Sequence, residues 1–118
     1  MKSTVTVWYY TRSAMKNDPV GLGLCGKVDK TTLSNTHREV YQTKEEVPED
    51  RVPFLEEYFH KFNVYEENPL SHENSPDKQQ FIKENQLHTS MSVGDVIEIH
   101  NGETLETWVC EGVGWNKI

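Results

Sequence analysis

Cations are scarce in this chain, with twelve lysines and arginines against nineteen aspartates and glutamates in 118 residues. The resulting net charge of −7 argues against nucleic acid as a partner, because phosphate-backbone binders gain affinity from clustered cations that release counterions. Cysteine is scarcer still: Cys25 and Cys110 are the two present, and neither has a neighbour at the short interval of a metal or redox motif. No apolar signal segment opens the chain, so both read as free, buried thiols in a reducing, cytoplasmic setting. No apolar run approaches the ~20 residues of a membrane span, and no membrane is expected. His37, His60, His72, His88 and His100 show no paired spacing on a helix face, so neither a metal nor a cofactor is expected. Aliphatic residues are also few, which leaves three Trp, five Tyr and four Phe to supply much of the buried area.

What is present divides unevenly. Residues 1–38 carry six Lys/Arg against two Asp/Glu, residues 39–87 five against twelve, and residues 88–118 one against five. The acidic middle reads as a solvated face rather than as a DNA mimic, because its carboxylate density is ordinary for a surface. The length fits a single domain over 1–118.

The run from His88 to Ile99 organises the rest. Gly94-Asp95 is turn chemistry, Val96, Ile97 and Ile99 are β-branched or strand-forming, and Asn101-Gly102 offers a reversal into a second strand from Leu105 to Cys110. Upstream, Thr4 to Thr11 is a β-branched and aromatic run that suits a strand well inside a sheet, with Val5, Val7 and Tyr9 on one side and Trp8 and Tyr10 on the other. Asn17-Asp18-Pro19 signals a turn, and Gly21 to Gly26 lacks the Lys-Ser/Thr of a phosphate loop, so it reads as flexible strand or bulged loop. Glu39 to Gln42 predicts a short strand. Phe54, Leu55, Tyr58, Phe59 and Phe62 form an apolar stripe at helical period, which predicts a core-facing helix from Asp50 to Phe62 with Asp50 as N-cap and His60 solvated. Asn63 to Ser75 reads as a surface loop. Ser75-Pro76-Asp77 begins a second, short helix anchored by Phe81 and Ile82. Gly112 and Gly114 permit a bend that returns Trp115 and Ile118 to the sheet, so the last residues are expected to dock in the core.

The expected architecture is therefore α+β: a small antiparallel sheet made of the N-terminal strand, the Val40 strand and a C-terminal β-hairpin. One main helix covers one face, and the second helix is peripheral.

Several blocks taken together resemble YodL-like domains: Glu39-Val40-Tyr41, Leu55 to Asn63, Pro69, His88-Thr89-Ser90-Met91-Ser92-Val93-Gly94-Asp95-Val96-Ile97, Gly102 and Gly114-Trp115-Asn116-Lys117-Ile118. The resemblance covers about residues 39–118. It departs from the family pattern at Gly94, where a second Ser is common, at Trp115, where Phe is usual, and in a longer insert between Pro69 and His88. Such modules occur in firmicute chromosomes, conjugative elements and phages, so the resemblance implies a phage or mobile-element setting without implying a chemistry.

Two function classes fit these residues. The first is a non-catalytic interaction module that engages a host protein, with a contact surface formed by Trp8, Tyr10, Trp108 and Trp115, the turn residues Ser90, Ser92 and Asp95, and an acidic rim of Glu98, Glu103, Glu106 and Glu111. Trp8, Tyr10 and Trp108 fall on alternating positions of neighbouring strands, so one face can hold all three, although a small sheet also needs its Trp residues for the core, and that use is favoured. The second is a small nucleic-acid-related or hydrolytic enzyme built on Ser90, Ser92 and Asp95 with His88 or His100 as base. The turn reading is favoured: Ser92 and Asp95 close the loop by bonding nearby backbone N–H groups. Sequence alone names neither the partner nor an oligomeric state.

Overall fold

The computed structural model describes residues 2–12, 28, 30–112 and 114–118; the Asn17-Asp18-Pro19 turn, the Gly21–Gly26 stretch and Cys25 lie outside the described residues. The β-branched run becomes β1 (Ser3–Tyr10), and the expected C-terminal hairpin becomes β3 (Val96–His100) and β4 (Leu105–Cys110). The Val40 strand is longer than its four-residue signal, running as β2 from His37 to Glu45. Beyond the expected strands, the C-terminus forms a fifth, β5 (Trp115–Lys117). Among the described residues these build one open, fully antiparallel sheet in the order β2-β1-β3-β4-β5. β1 is interior, as its composition predicts.

The register assigns the faces, because residues directly opposite each other in an antiparallel pair point the same way. Val7, Ile97 and Trp108 are in line, and so are Val5, Ile99 and Glu106; Trp8, Val96 and Val109 lie on the reverse side. The first face is covered by α2 (Arg51–Lys61), whose Phe54, Leu55 and Tyr58 are buried, with Phe62 just past its end. Phe59 is half-buried on the same cluster, and His60 is exposed as expected. Asp50 holds the N-cap position, although its side chain makes no capping bond.

The register slips between Val7 and Trp8, which face Tyr41 and Glu39, so Val40 is an extra residue on the β2 side. A bulge of this kind turns two consecutive side chains the same way. Val40 and Tyr41 accordingly both pack on the helix-covered cluster, and the Val40 carbonyl accepts from Lys78 Nζ at 2.6 Å.

The reverse face is not bare. The short helix α1 (Leu33–Thr36) brings Leu33 against Tyr10, Val28, Val96 and Val109, with Trp8 and Ile118 at the margin. The terminus thus docks in part: Trp115 joins the main cluster and Ile118 the smaller one, both half-buried.

Two readings need correction. The segment after α2 is not simply surface loop, because Asn68, Leu70 and Ser71 are buried. Asn68 Nδ2 donates to the carbonyls of Phe62 and Thr89, both at 2.8 Å, while its Oδ1 accepts from the Leu70 N–H at 2.9 Å. In the second helix, a 3-10 turn (Pro76–Lys78) leading into α3 (Gln79–Glu84), Ile82 is the anchor and Phe81 is 40% exposed. A six-residue helix can bury only one stripe, and Ile82 occupies it.

Candidate functional site

The loop before β3 is built around one carboxylate. Gly94 has φ +95°, a backbone conformation open to glycine at little steric cost, and it delivers Asp95 to a fully buried position. Asp95 Oδ1 accepts from the Tyr10 N–H at 2.9 Å. Its Oδ2 accepts from the Ser92 N–H at 2.7 Å and lies 2.9 Å from His88 Nε2. Main-chain bonds from Gly94 N–H to the Cys110 carbonyl and from Cys110 N–H to the Asp95 carbonyl join the loop to β4. Tyr9 stacks on His88 with ring centroids 4.6 Å apart and donates its hydroxyl to the Thr89 carbonyl at 3.1 Å. Burial pushes the Tyr9 phenol strongly up, with the Asp95 charge adding to the effect, so the hydroxyl stays a donor.

His37 closes the loop from the other side. It is fully buried, stacks on Tyr10, donates from Nε2 to the Gly94 carbonyl at 2.7 Å and accepts at Nδ1 from the Thr36 hydroxyl at 2.7 Å. Burial holds its pKa below the usual histidine value, since desolvation disfavours the imidazolium.

Ser92, His88 and Asp95 therefore meet, but not as a relay. Ser92 Oγ lies 3.3 Å from His88 Nε2, the same nitrogen that faces Asp95. A serine–histidine–aspartate relay needs the imidazole between its partners, one nitrogen for each. Here one nitrogen serves both, so the aspartate does not hold the second ring nitrogen while the first takes the hydroxyl proton. Asp95 closes the turn as expected, its Oδ2 accepting the Ser92 N–H while its own N–H donates to the Ser92 carbonyl at 3.0 Å; the Ser92 hydroxyl, expected to bond a backbone N–H too, lies instead against the side chains of His88 and Asp95. Ser90 is exposed on the loop, and His100 stands at the far end of β3, opposite Leu105.

The expected aromatic surface is divided by the sheet. Trp108 and Trp115 pack on the α2 side, whereas Trp8 and Tyr10 belong to the reverse-face cluster. Trp8, Tyr10 and Trp108 do not share one face: Trp108 aligns with Ile97 and Trp8 with the adjacent residue, Val96. Tyr10 and Asp95 are buried and do not reach solvent. Two rim carboxylates are engaged. Trp8 Nε1 donates to Glu98 at 2.7 Å; Glu106 takes both a Trp108 Nε1 bond at 2.9 Å and a two-pronged contact from Arg51 at 3.1 and 3.0 Å. Arg51 is the main reason the Glu106 carboxyl is held below its ordinary range. Glu103 is exposed in the reversal, where Asn101 Oδ1 accepts from the N–H groups of Glu103 and Thr104.

Sequence reasoning missed His37, Asn68 and Arg51 as organisers. Asn68-Pro69 was the available signal for the buried Asx turn; His37 and Arg51 act over long separations that no local pattern marks. Cys110 is a buried thiol, pushed up to about 12 by burial and by the charges of Asp95, Glu56 and Glu111. Among the described residues, no group of three potential ligands is placed to hold a metal ion, and no helix is long and apolar enough to cross a membrane.

No family model matches the chain, and no solved structure matches it. An uncharacterized protein, R785 of Acanthamoeba polyphaga mimivirus, is 40% identical over 85 residues, which span 72% of this chain and 71% of that protein.

Proposed function

The chain belongs to the family of that mimivirus protein, and from this premise we propose that it is a non-catalytic interaction module, borne by a virus, phage or mobile element, that engages a host protein. One observation carries the reading: the polar cluster a small hydrolase would need is taken up in holding the fold. Both oxygens of Asp95 serve the Tyr10 and Ser92 N–H groups and His88, and a single His88 nitrogen faces both the serine and the aspartate. The viral relative supports the setting, and the YodL-like signature at His88–Ile97 and Gly114–Ile118 supports its mobile-element side. In this reading the protein acts inside the host cell without a cofactor. Its partner surface lies where side chains remain outward beside half-buried aromatics: Ser90, Ser92 and Glu103 at the loops, and Trp115 with Glu111 at the C-terminal bend.

The test pairs capture with catalysis. Immobilised parent and Ser92→Ala protein are presented to host lysate, and the same proteins are assayed against ester, phosphoester and nucleic-acid substrates. The expected result is one host protein enriched in near-stoichiometric amount by the parent, with turnover at buffer background for both proteins. A turnover that disappears in Ser92→Ala while the melting temperature holds would overturn the reading in favour of a small hydrolytic or nucleic-acid-related enzyme.

A further inference from the structure

We propose that the notch between the outer side of α2 and the Cys110–Trp115 bend receives an arginine side chain from a basic segment of the partner; this rests on the interaction-module reading and names the chemistry of its partner. The notch is a cavity of about 200 Å³ lined by Glu56, Phe59, Cys110, Glu111 and Trp115 among others. Its floor is apolar and supported from below, because Phe59 and Trp115 are half-buried against the main core. Its lips are carboxylates. Neither Glu56 nor Glu111 has a side-chain cation partner among the described residues, although the neighbouring Glu106 is gripped by Arg51.

The two carboxylates line the same cavity as the Cys110 thiol, and both raise its pKa, after the larger effects of burial and of the Asp95 charge. Around it the outer side of α2 carries a further exposed carboxylate, Glu57, and the exposed His60 lies 3.9 Å from Glu67 of the following segment. Lys61 borders the adjoining cavity with Glu56 but is turned over the rings of Tyr58 and Tyr41, at 5.2 and 5.7 Å, and makes no ion pair with that carboxylate. An aromatic floor between two unpaired carboxylates suits guanidinium better than ammonium. Guanidinium is planar, stacks on rings, sheds water more readily and pairs with carboxylates in a fork. The surrounding negative field would steer a basic segment towards the site and speed its association at low salt.

The experiment titrates the ¹⁵N-labelled protein with a short capped peptide of alternating glycine and arginine, and with its lysine and citrulline counterparts. Trp115 Nε1–H is the reporter, and Trp8 Nε1–H, on the opposite face, is the control. The expected result is a saturable shift of Trp115 by the arginine peptide, at least threefold weaker with lysine and absent with citrulline. A Glu56→Gln, Glu111→Gln double variant with unchanged melting should weaken it at least tenfold. Equal binding of lysine and arginine, a shift of Trp8 as large as that of Trp115, no shift at all, or full binding by the double variant would each overturn the site. The two proposals fail separately. A captured host protein that still binds the double variant leaves the module reading standing without this notch, whereas failure to capture any host protein leaves the titration to decide the site.

Discussion

Asp95 shows how much one buried side chain can organise. A carboxylate removed from water is tolerated only if its lone pairs are satisfied, and here a strand N–H, a loop N–H and an imidazole satisfy them. Replacing Asp95 by Asn keeps one acceptor but turns an amide donor towards the Ser92 N–H and His88. The expected loss is about 2–3 kcal/mol, the penalty of buried donors left facing each other. Ser92→Ala removes a hydroxyl whose contacts to His88 and Asp95 are long, 3.3 and 3.4 Å, and keeps the backbone N–H that matters. It should cost no more than about 0.5 kcal/mol, as surface changes usually do. Urea unfolding of both variants checks the contrast, and equal losses would show that the hydroxyl holds the loop as much as the carboxylate does.

At the level of elements, the end of α3 exposes a local strain that packing outweighs. Asn85 is the C-cap; the Gln86 N–H bonds the Lys83 carbonyl and the Leu87 N–H bonds the Ile82 carbonyl. That is the Schellman arrangement, with Leu87 and Ile82 supplying its apolar contact. The residue past the cap is usually glycine because its φ is positive, yet Gln86 sits there at φ +56°. Gln86→Gly is expected to stabilise the protein by about 0.5–1 kcal/mol, while Gln86→Ala should not. Thermal melts of the two variants decide it. The helix stripe, the Asn101-Gly102 reversal and the interior β1 are elements whose local pattern and tertiary role agree. The Val40 bulge is one where alternation alone points the wrong way, since two adjacent residues must face the helix.

For the molecule as a whole, acid stability should fall in two stages. His37 is neutral and buried, with a pKa below the ordinary value of about 6.5, so below that pH the unfolded chain takes up a proton the folded one refuses. Stability is therefore full above about pH 6.5 and declines beneath it, at a slope no steeper than about 1.4 kcal/mol per pH unit for one proton. Glu106 is held below the ordinary glutamate value of about 4.3, first by Arg51, so its contribution is present above that pH and is lost as the pH falls further. Urea unfolding from pH 7.5 to 3.5 should resolve both stages, with Glu106→Gln removing the lower one and leaving the upper. A flat profile between pH 7 and 5 would contradict the buried, neutral state of His37.

By itself the sequence determined the α+β class, the hairpin from Val96 to Cys110, the core-facing stripe of α2 and the acidic balance, because each depends on spacing, turn chemistry or composition over a short stretch. Tertiary structure decided the rest. It set the side of the sheet each Trp occupies, through a register fixed by pairing between segments some ninety residues apart, such as Thr4 with His100. It buried Asp95 and Tyr10 out of reach of any partner, paired Glu106 of β4 with Arg51 at the start of the covering helix, and brought Glu56, Phe59, Glu111 and Trp115 around one notch. The physical reason is that side-chain orientation follows local periodicity only until a bulge, a buried charge or a long-range pair intervenes. Those features depend on which distant segments meet, and that is settled by the packed fold rather than by any window of residues.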